Sequence, residues 1–365
     1  MFPRGPEGGG QTVAMTAFLG CWTMRWRWPG VAAVCAAATV ASCGVTGASG
    51  GPGRSPADAG PSGQAAGSPP PSPVPGYRLN AVAALSAASA WAVGLSNQGT
   101  IHPIRWDGRS WQRVPASGDG DLYGMTVLSA ADAWAVGYGP SNEALIEHWN
   151  GTAWARVSSP APRGASSELN GVAAASATSA WAVGDTDTKT RRVPLIERWN
   201  GTTWRQVPTP SLKFGGILNG VAAASATNAW AVGNSTTAHG TAALIEHWNG
   251  KVWALVHSPA LSGDGFFAGV TALSGSSAWA VGGTFHRHQQ MQTVTEHWNG
   301  TSWALVPSPA KGLLGSVTAT SARNAWAVGL TGSSHGHGTG IIEHWNGNSW
   351  TCISATGTAG PCPSG

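Results

Sequence analysis

From about Leu79 onward the chain alternates short apolar runs with short polar breaks, and one order of runs keeps returning. In residues 169–210, Leu169 to Ala175 is a small-residue apolar run. Ser176 to Ser179 is a polar break, and Ala180 to Gly184 is a second apolar run. A variable polar stretch follows, and Leu195 to Trp199 is the third run. Asn200-Gly201 reads as a two-residue hairpin turn, whose two central positions need positive φ. Thr202 to Val207 is the fourth run, ended by Pro208 and Pro210. No stretch holds a helical period over ten residues, so the pattern predicts four short antiparallel strands joined by tight turns. With that turn, Trp199 pairs with Thr202 and Glu197 lies opposite Trp204. Glu197, Trp199 and Trp204 then share one face of the sheet.

The unit recurs six times. The pentapeptide Ala-Trp-Ala-Val-Gly carries Trp91, Trp134, Trp181, Trp230, Trp279 and Trp326. A Trp-(Asn/Asp)-Gly-x-x-Trp hexapeptide opens at Trp106, Trp149, Trp199, Trp248, Trp298 and Trp345, and closes at Trp111, Trp154, Trp204, Trp253, Trp303 and Trp350. These positions use 18 of the 21 tryptophans, at a spacing of 43 to 50 residues. Four strands per repeat at that period predict one propeller blade each. The expected fold is all-β: a six-bladed β-propeller of four-stranded antiparallel blades within residues 77–353, followed by a C-terminal tail, 354–365. The blades fall at about 79–115, 121–160, 169–210, 218–259, 268–309 and 314–353. A buried Trp covers about 150–250 Å², which lets a chain poor in Phe and Tyr build a core. No spare strand is left to exchange between first and last blades. Closure is therefore expected from blade-to-blade packing helped by the tail, with a seventh blade from another chain as the alternative.

Residues 1–76 have a different composition. Arg25 and Arg27 precede an apolar, Ala-rich segment from Pro29 to Val40, too short for an ordinary membrane span. Val40-Ala41-Ser42-Cys43 resembles a bacterial lipobox, which makes residues 1–42 a lipoprotein-type signal peptide and Cys43 the lipidation site. Met15 or Met24 as the start would give a signal of normal length. The alternative is cleavage by ordinary signal peptidase and a secreted chain, with Cys43 incidental. Residues 43–76, rich in Gly, Ser, Ala and Pro, are expected to form a flexible, disordered linker. Cys352 and Cys362 flank the tail of an exported chain and are expected to pair, the alternative being two free or intermolecular thiols. Charged residues make up only 10% of the 365-residue chain and the formal net charge is +4. No basic stripe interleaves with the aromatics, so nucleic acid is not an expected partner.

The blades resemble those of exported bacterial β-propellers with repeated AWAVG and WNGxxW segments. The hairpin between the third and fourth strands resembles the Asp-box of sialidase-like propellers, with Asp107 supplying the Asp and Asn150, Asn200, Asn249, Asn299 and Asn346 replacing it. The Trp-Asp or Trp-Asn end of the third strand is similar to WD40 blades. A looser likeness joins the chain to kelch and galactose-oxidase-like propellers. Sialidase-like chemistry would imply an arginine cluster with a nucleophilic Tyr, and galactose-oxidase chemistry a Tyr-Cys copper site. Neither constellation is present in the blades.

Candidate chemistry has to break the repeat symmetry. Glu147, Glu197, Glu246, Glu296 and Glu343 recur at one blade position, with His148, His247, His297 and His344 beside them. Such copies read as structural. The turns after strand one and the Asn-Gly turns share one uniform rim. The loops after AWAVG and those between blades form the opposite, variable rim, the candidate binding face. It carries Tyr123, Tyr138, Phe214, Phe266 and Phe267, which could stack on a sugar or peptide. His239, His286, His288, His335 and His337 could hold zinc or copper. The pairs Asp119/Asp121 and Asp185/Asp187 could hold calcium. No cofactor is expected otherwise, and no catalytic residue is assigned. The expected function is non-enzymatic binding or scaffolding by a monomer at the bacterial cell surface, anchored in the membrane through its lipid. Its partner would be a cell-wall glycan, a peptide or a cell-envelope protein. The alternative is a carbohydrate-active hydrolase or lyase on the variable rim, which an inward cluster of two carboxylates and an Arg would favour.

Overall fold

The computed structural model describes residues 77–96, 103–116, 119–162, 164–259, 264–285, 291–331, 338–354 and 357–363. The proposed signal peptide, the linker and Cys43 lie outside the described residues. Among the described residues, twenty-four strands form six four-stranded antiparallel sheets, each in simple sequence order. Blade one is β1 (Tyr77–Ser86), β2 (Ser89–Ser96), β3 (Ile104–Trp106) and β4 (Trp111–Arg113). Blade two is β5 (Asp121–Ser129), β6 (Asp132–Tyr138), β7 (Ala144–Trp149) and β8 (Trp154–Val157). Blade three is β9 (Ser166–Ser176), β10 (Ser179–Asp187), β11 (Arg192–Trp199) and β12 (Trp204–Gln206). Blade four is β13 (Gly216–Ser225), β14 (Asn228–Thr237), β15 (Gly240–Trp248) and β16 (Trp253–Leu255). Blade five is β17 (Asp264–Ser274), β18 (Ser277–Phe285), β19 (Gln292–Trp298) and β20 (Trp303–Leu305). Blade six is β21 (Leu313–Ser321), β22 (Asn324–Leu330), β23 (Gly340–Trp345) and β24 (Trp350–Cys352). The chain is a six-bladed β-propeller, and no helix occurs among the described residues.

The pentapeptide sits on the second strand of every blade, and in blades one to five its Trp makes the joint to the next blade. Trp91, Trp134, Trp181, Trp230 and Trp279 are each at most 1% exposed. Each meets both indoles of the following blade's hexapeptide. One ring lies at 4.8–5.0 Å, tilted by 56–59°, and the other at 5.0–5.3 Å, edge-on at 79–88°. Edge-to-face and tilted pairs at this spacing are favourable for ring quadrupoles. Behind each joint Trp, the residue beside the recurring Glu covers the other side of the ring. His148 and His247 stack at 4.1 Å on Trp134 and Trp230, and the Arg198 guanidinium lies 5.0 Å from the ring centre of Trp181. The recurring His/Arg column is therefore packing, assembled by cross-strand pairs such as Trp181↔Arg198 and Trp230↔His247.

The pentapeptide's Gly has its own reason. Each first strand is bulged opposite it, as between Val183 and Gly184. A Cβ on Gly184 would lie 1.9 Å from the Glu168 carbonyl oxygen, and the same clash recurs at Gly137, Gly282 and Gly329. Close backbone approach excludes any side chain there. Nearer the axis, Gly171 is built against Asn219 and Gly220 of blade four, and Asn170 donates 2.9 Å to the Leu218 carbonyl.

The outer hairpins correct the expected register. Trp199 pairs with Trp204 and Glu197 with Gln206, so the turn is a four-residue loop, Asn200–Thr203. Only Gly201 has positive φ, at +96°. The Asn200 Oδ1 accepts from the Thr202 and Thr203 amides at 3.0 and 2.9 Å. An Asx turn thus replaces the expected two-residue hairpin. Asp107 does the same work in blade one, at 2.8 Å to two amides, and those bonds hold its carboxyl below the usual range. The shared face of Glu197, Trp199 and Trp204 is preserved, because Trp204 slips from Glu197 to Trp199, two residues, which is the side-chain period of a strand. The first Trp of every hexapeptide donates its indole N–H to the turn after strand one, at 3.0–3.3 Å. These six repeated contacts knit the uniform rim.

Candidate functional site

The recurring glutamates are latches between blades. The Ser159 hydroxyl, in the link from blade two, donates 2.6 Å to Glu197 of blade three. Ser258 does so to Glu296 at 2.8 Å, and Ser308 to Glu343 at 2.7 Å, with the Ala310 amide adding a bond at 3.0 Å. All of these carboxyls are fully buried. Burial pushes Glu197 and Glu296 up to about 7, against the lowering effect of their serine donors. Glu246 differs. Thr209 stands where the links after blades two, four and five have Ser159, Ser258 and Ser308, and neither Glu246 oxygen has a hydrogen-bond partner. Burial alone pushes Glu246 up to about 8.

The variable rim carries the asymmetric chemistry. The residue after AWAVG lies in the last part of the second strand, and it is Tyr138, Asp185, Asn234, Gly283 and Leu330 in blades two to six. Its cross-strand partner on strand one is Asp121, Glu168, Ile217, Phe266 and Leu313. Blades two and three are thus polar at this level, while blades five and six are apolar.

Blade three brings two carboxylates to one guanidinium. Arg192 donates to Asp185 from Nε at 2.5 Å and from Nη2 at 2.7 Å, and Nη2 also pairs with Glu168. The Asp185 side chain is 2% exposed, whereas those of Arg192 and Glu168 are 29% and 27% exposed. Burial raises Asp185 to about 7, Arg192 opposes the rise and Glu168 adds to it. Desolvation works against the Arg192 charge, but the two carboxylates outweigh it and hold its pKa above the usual value. Two carboxylates and an Arg on this rim are the cluster that favours the enzyme alternative. Beside it, the Tyr138 hydroxyl donates to Asn142 Oδ1 and lies 3.2 Å from Ser166 Oγ. Asn142, itself at a φ of 65°, accepts from the Ser167 amide through its carbonyl at 3.0 Å. Blade two's loop is thereby tied to blade three's first strand.

The other candidates are scattered. Tyr123 is half-buried on β5, at the position of Asn170 in blade three. Phe214 is 41% exposed, with Lys213 Nζ 5.1 Å from its ring centre. Phe266 stacks on Phe285 at 5.4 Å and 12°. Phe267 is sealed in the core between blades four and five and offers no surface to a ligand. His239 is exposed in the turn before β15. His286, His288, His335 and His337 lie outside the described residues. Asp185 spends its carboxylate on Arg192, and Asp187 accepts the Lys189 amide at 2.9 Å. Among the described residues, one group has metal-ligand spacing: Glu343, Cys352 and Cys362. Its two cysteines are bonded to each other as a disulfide, which removes both thiolates.

No family model and no curated protein sequence matches the chain. Solved structures share its fold. A lectin from Aleuria aurantia, a six-bladed propeller that recognises fucose, is similar at a TM-score of 0.50 and 12% identity, over 80% of this chain and 98% of that one. A polysaccharide lyase of family PL25, an ulvan lyase, is similar at a TM-score of 0.51 and 9% identity, over 77% and 82%. A GH74 xyloglucanase from Xanthomonas campestris is similar at 0.50 and 13%, over 76% of this chain but 46% of the enzyme. At such identities the likeness is one of fold alone.

The Asp185–Arg192–Glu168 cluster was hidden from sequence reasoning. Its members come from three strands and meet only through the register Asp185↔Glu168 and Asp187↔Arg192. The available signal was the break in repeat symmetry after AWAVG.

Proposed function

We propose that this chain is a non-enzymatic carbohydrate-binding module whose site is the variable rim. The observation that supports this reading is the rim's asymmetry. Tyr138, Asn142, Glu168 and Arg192 offer hydroxyl, amide, carboxylate and guanidinium groups on blades two and three. Exposed Phe214 and the stacked Phe266–Phe285 pair offer aromatic faces on blades four and five. Glycan sites combine a few oriented polar groups with aromatic faces. The lectin and the two polysaccharide-acting enzymes give the same fold in proteins that handle glycans. Asp185 is sealed behind Arg192, and both carboxylates share one guanidinium, which suits orientation better than proton transfer. The leader and the lipobox-like Val40-Ala41-Ser42-Cys43 support display on the outer face of the cell membrane, with cell-wall glycan as ligand.

The test is calorimetric titration of the chain with a panel of cell-wall glycans. Binding that Arg192→Gln and Phe214→Ala each weaken by about tenfold, and Asn249→Ala on the uniform rim leaves intact, is the expected result. Binding indifferent to both rim changes would overturn the reading. The hydrolase or lyase alternative rests on Asp185, Glu168 and Arg192 and on the Asp185 carboxyl raised to about 7. Release of new reducing or unsaturated ends from any panel glycan, abolished by Glu168→Gln, would establish it instead.

A further inference from the structure

Among the described residues, five joints of the propeller are made and the sixth is not. Five hydrophobic clusters span the seams between consecutive blades, from one-two to five-six. The remaining cluster, with Ala92, Ile104, Leu79, Val82 and Trp111, belongs to blade one alone. Among the described residues, no strand of blade six packs along a strand of blade one as the other seams do. Trp326, the sixth joint Trp, is 38% exposed and Ile342 beside it is 39% exposed. His344 still stacks on Trp326 at 4.3 Å, so the joint is assembled on its own side and lacks only its receiver. On blade one, Trp106 and Trp111 hold the receiving geometry, 5.8 Å apart against 5.9–6.0 Å in the other hairpins, yet Trp111 is only half-buried.

A closed ring of six needs one-sixth of a turn at each joint, and six equal joints then close without strain. Here the five joints are near-identical, and among the described residues Trp326 and the Trp106–Trp111 pair are left without the counterpart that each has in the other blades.

The end faces are also chemically distinct from the inner ones. Ile104 stands on blade one where the other blades have the latch Glu. Ala355-Thr356 follows blade six where Ser258-Pro259 and Ser308-Pro309 follow blades four and five. The latch uses the covalent link between blades. A face that meets a blade with no such link would bury an unpartnered carboxylate, and Ile104 avoids that cost. The stretch 44–76 contains no aromatic residue and cannot supply the two indoles that Trp326 lacks.

We propose that the chain associates head to tail with a second copy, blade six of one seating on blade one of the next. Trp326 enters between Trp106 and Trp111 of the neighbour, and Ile342 meets its Leu79 and Val82, repeating the joint that each chain makes five times within itself. The contact is heterologous, so it propagates beyond the dimer.

Sedimentation velocity of the full-length chain, carrying Cys43→Ser to prevent acylation, tests this across a concentration series. The expected result is a monomer that gives way to dimers and longer species as concentration rises. Trp326→Ser should weaken association by about 30-fold or more, the loss of an interface hot spot, without changing the melting temperature of the monomer. The directional test mixes a Trp326→Ser chain with a Trp111→Ser chain. Each alone stays monomeric, and together they form a dimer and stop there. A wild-type chain that is monomeric throughout, or one whose association Trp326→Ser does not alter, overturns the proposal.

Discussion

Trp181 and Trp326 occupy the same place in the same pentapeptide, on the second strand of their blades. Trp181 is fully buried between Trp248 and Trp253 of the next blade, with Arg198 behind it. Trp326 keeps its backing His344 and meets no indole pair. The repeat therefore encodes half a joint, and burial is decided by the neighbour. Stability in such an array is a sum of nearest-neighbour terms, and the two terminal blades each lack one.

The widest gap should appear on truncation. Trp181→Ala removes two indole contacts and leaves a large cavity, costing about 3–5 kcal/mol, whereas Trp326→Ala should cost less than about 1 kcal/mol because water already reaches it. Urea denaturation of both variants measures the difference. Equal losses would mean that Trp326 is buried after all. Gly184→Ala comes next, with an expected loss of about 3 kcal/mol by overpacking, since the new Cβ would sit 1.9 Å from the Glu168 carbonyl oxygen. Thermal melting at neutral pH reads it, and an unchanged melting temperature would mean that the bulge is absent.

A third prediction compares the latches and depends on pH. The Glu246 carboxyl is raised from 4.5 to about 8 by burial, so the folded chain holds a proton that the unfolded chain releases. Its stabilising contribution is whole below pH 4.5 and is lost as pH rises towards 8. Glu246→Gln removes that dependence, so the variant should gain on the wild type steadily from pH 5 to pH 8. Glu343 is also raised by burial, but Ser308 and the Ala310 amide donate to it and oppose the rise, so Glu343→Gln should show the same gain in smaller measure. His247, lowered by burial, is common to both chains and cancels in the difference. Parallel melting curves for wild type and Glu246→Gln across this range would show that the carboxyl is solvated or bonded. The smallest effect belongs to the uniform rim. Asn200→Ala removes the Oδ1 that accepts from two backbone amides in one of six equivalent turns and should cost about 1 kcal/mol, read by the same denaturation assay.

Much of this architecture was legible because its grammar is repeated. Eighteen tryptophans at fixed spacing specify blade count, strand order and the sheet face shared by Glu197, Trp199 and Trp204. The turn was misjudged because Asn-Gly is the mark of a two-residue hairpin, and composition does not show that the Asn200 side chain caps a longer loop. The rim cluster was invisible for a different reason. Asp185 stood out only as half of an Asp-x-Asp pair, while Glu168 and Arg192 reach it through strand register. The open seam could not be read from the pentapeptide, which is identical in all six blades. The local signals were subtler: Ile104 in place of a Glu, and Ala355-Thr356 in place of Ser-Pro.

Hydroxyl-radical footprinting of the dilute chain, resolved by peptide mass spectrometry, tests the account most directly. It predicts rapid oxidation of Trp326 and strong protection of Trp91, Trp134, Trp181, Trp230 and Trp279. Equal protection of all six joint tryptophans in the monomer would mean that the ring closes on itself, and would contradict the account.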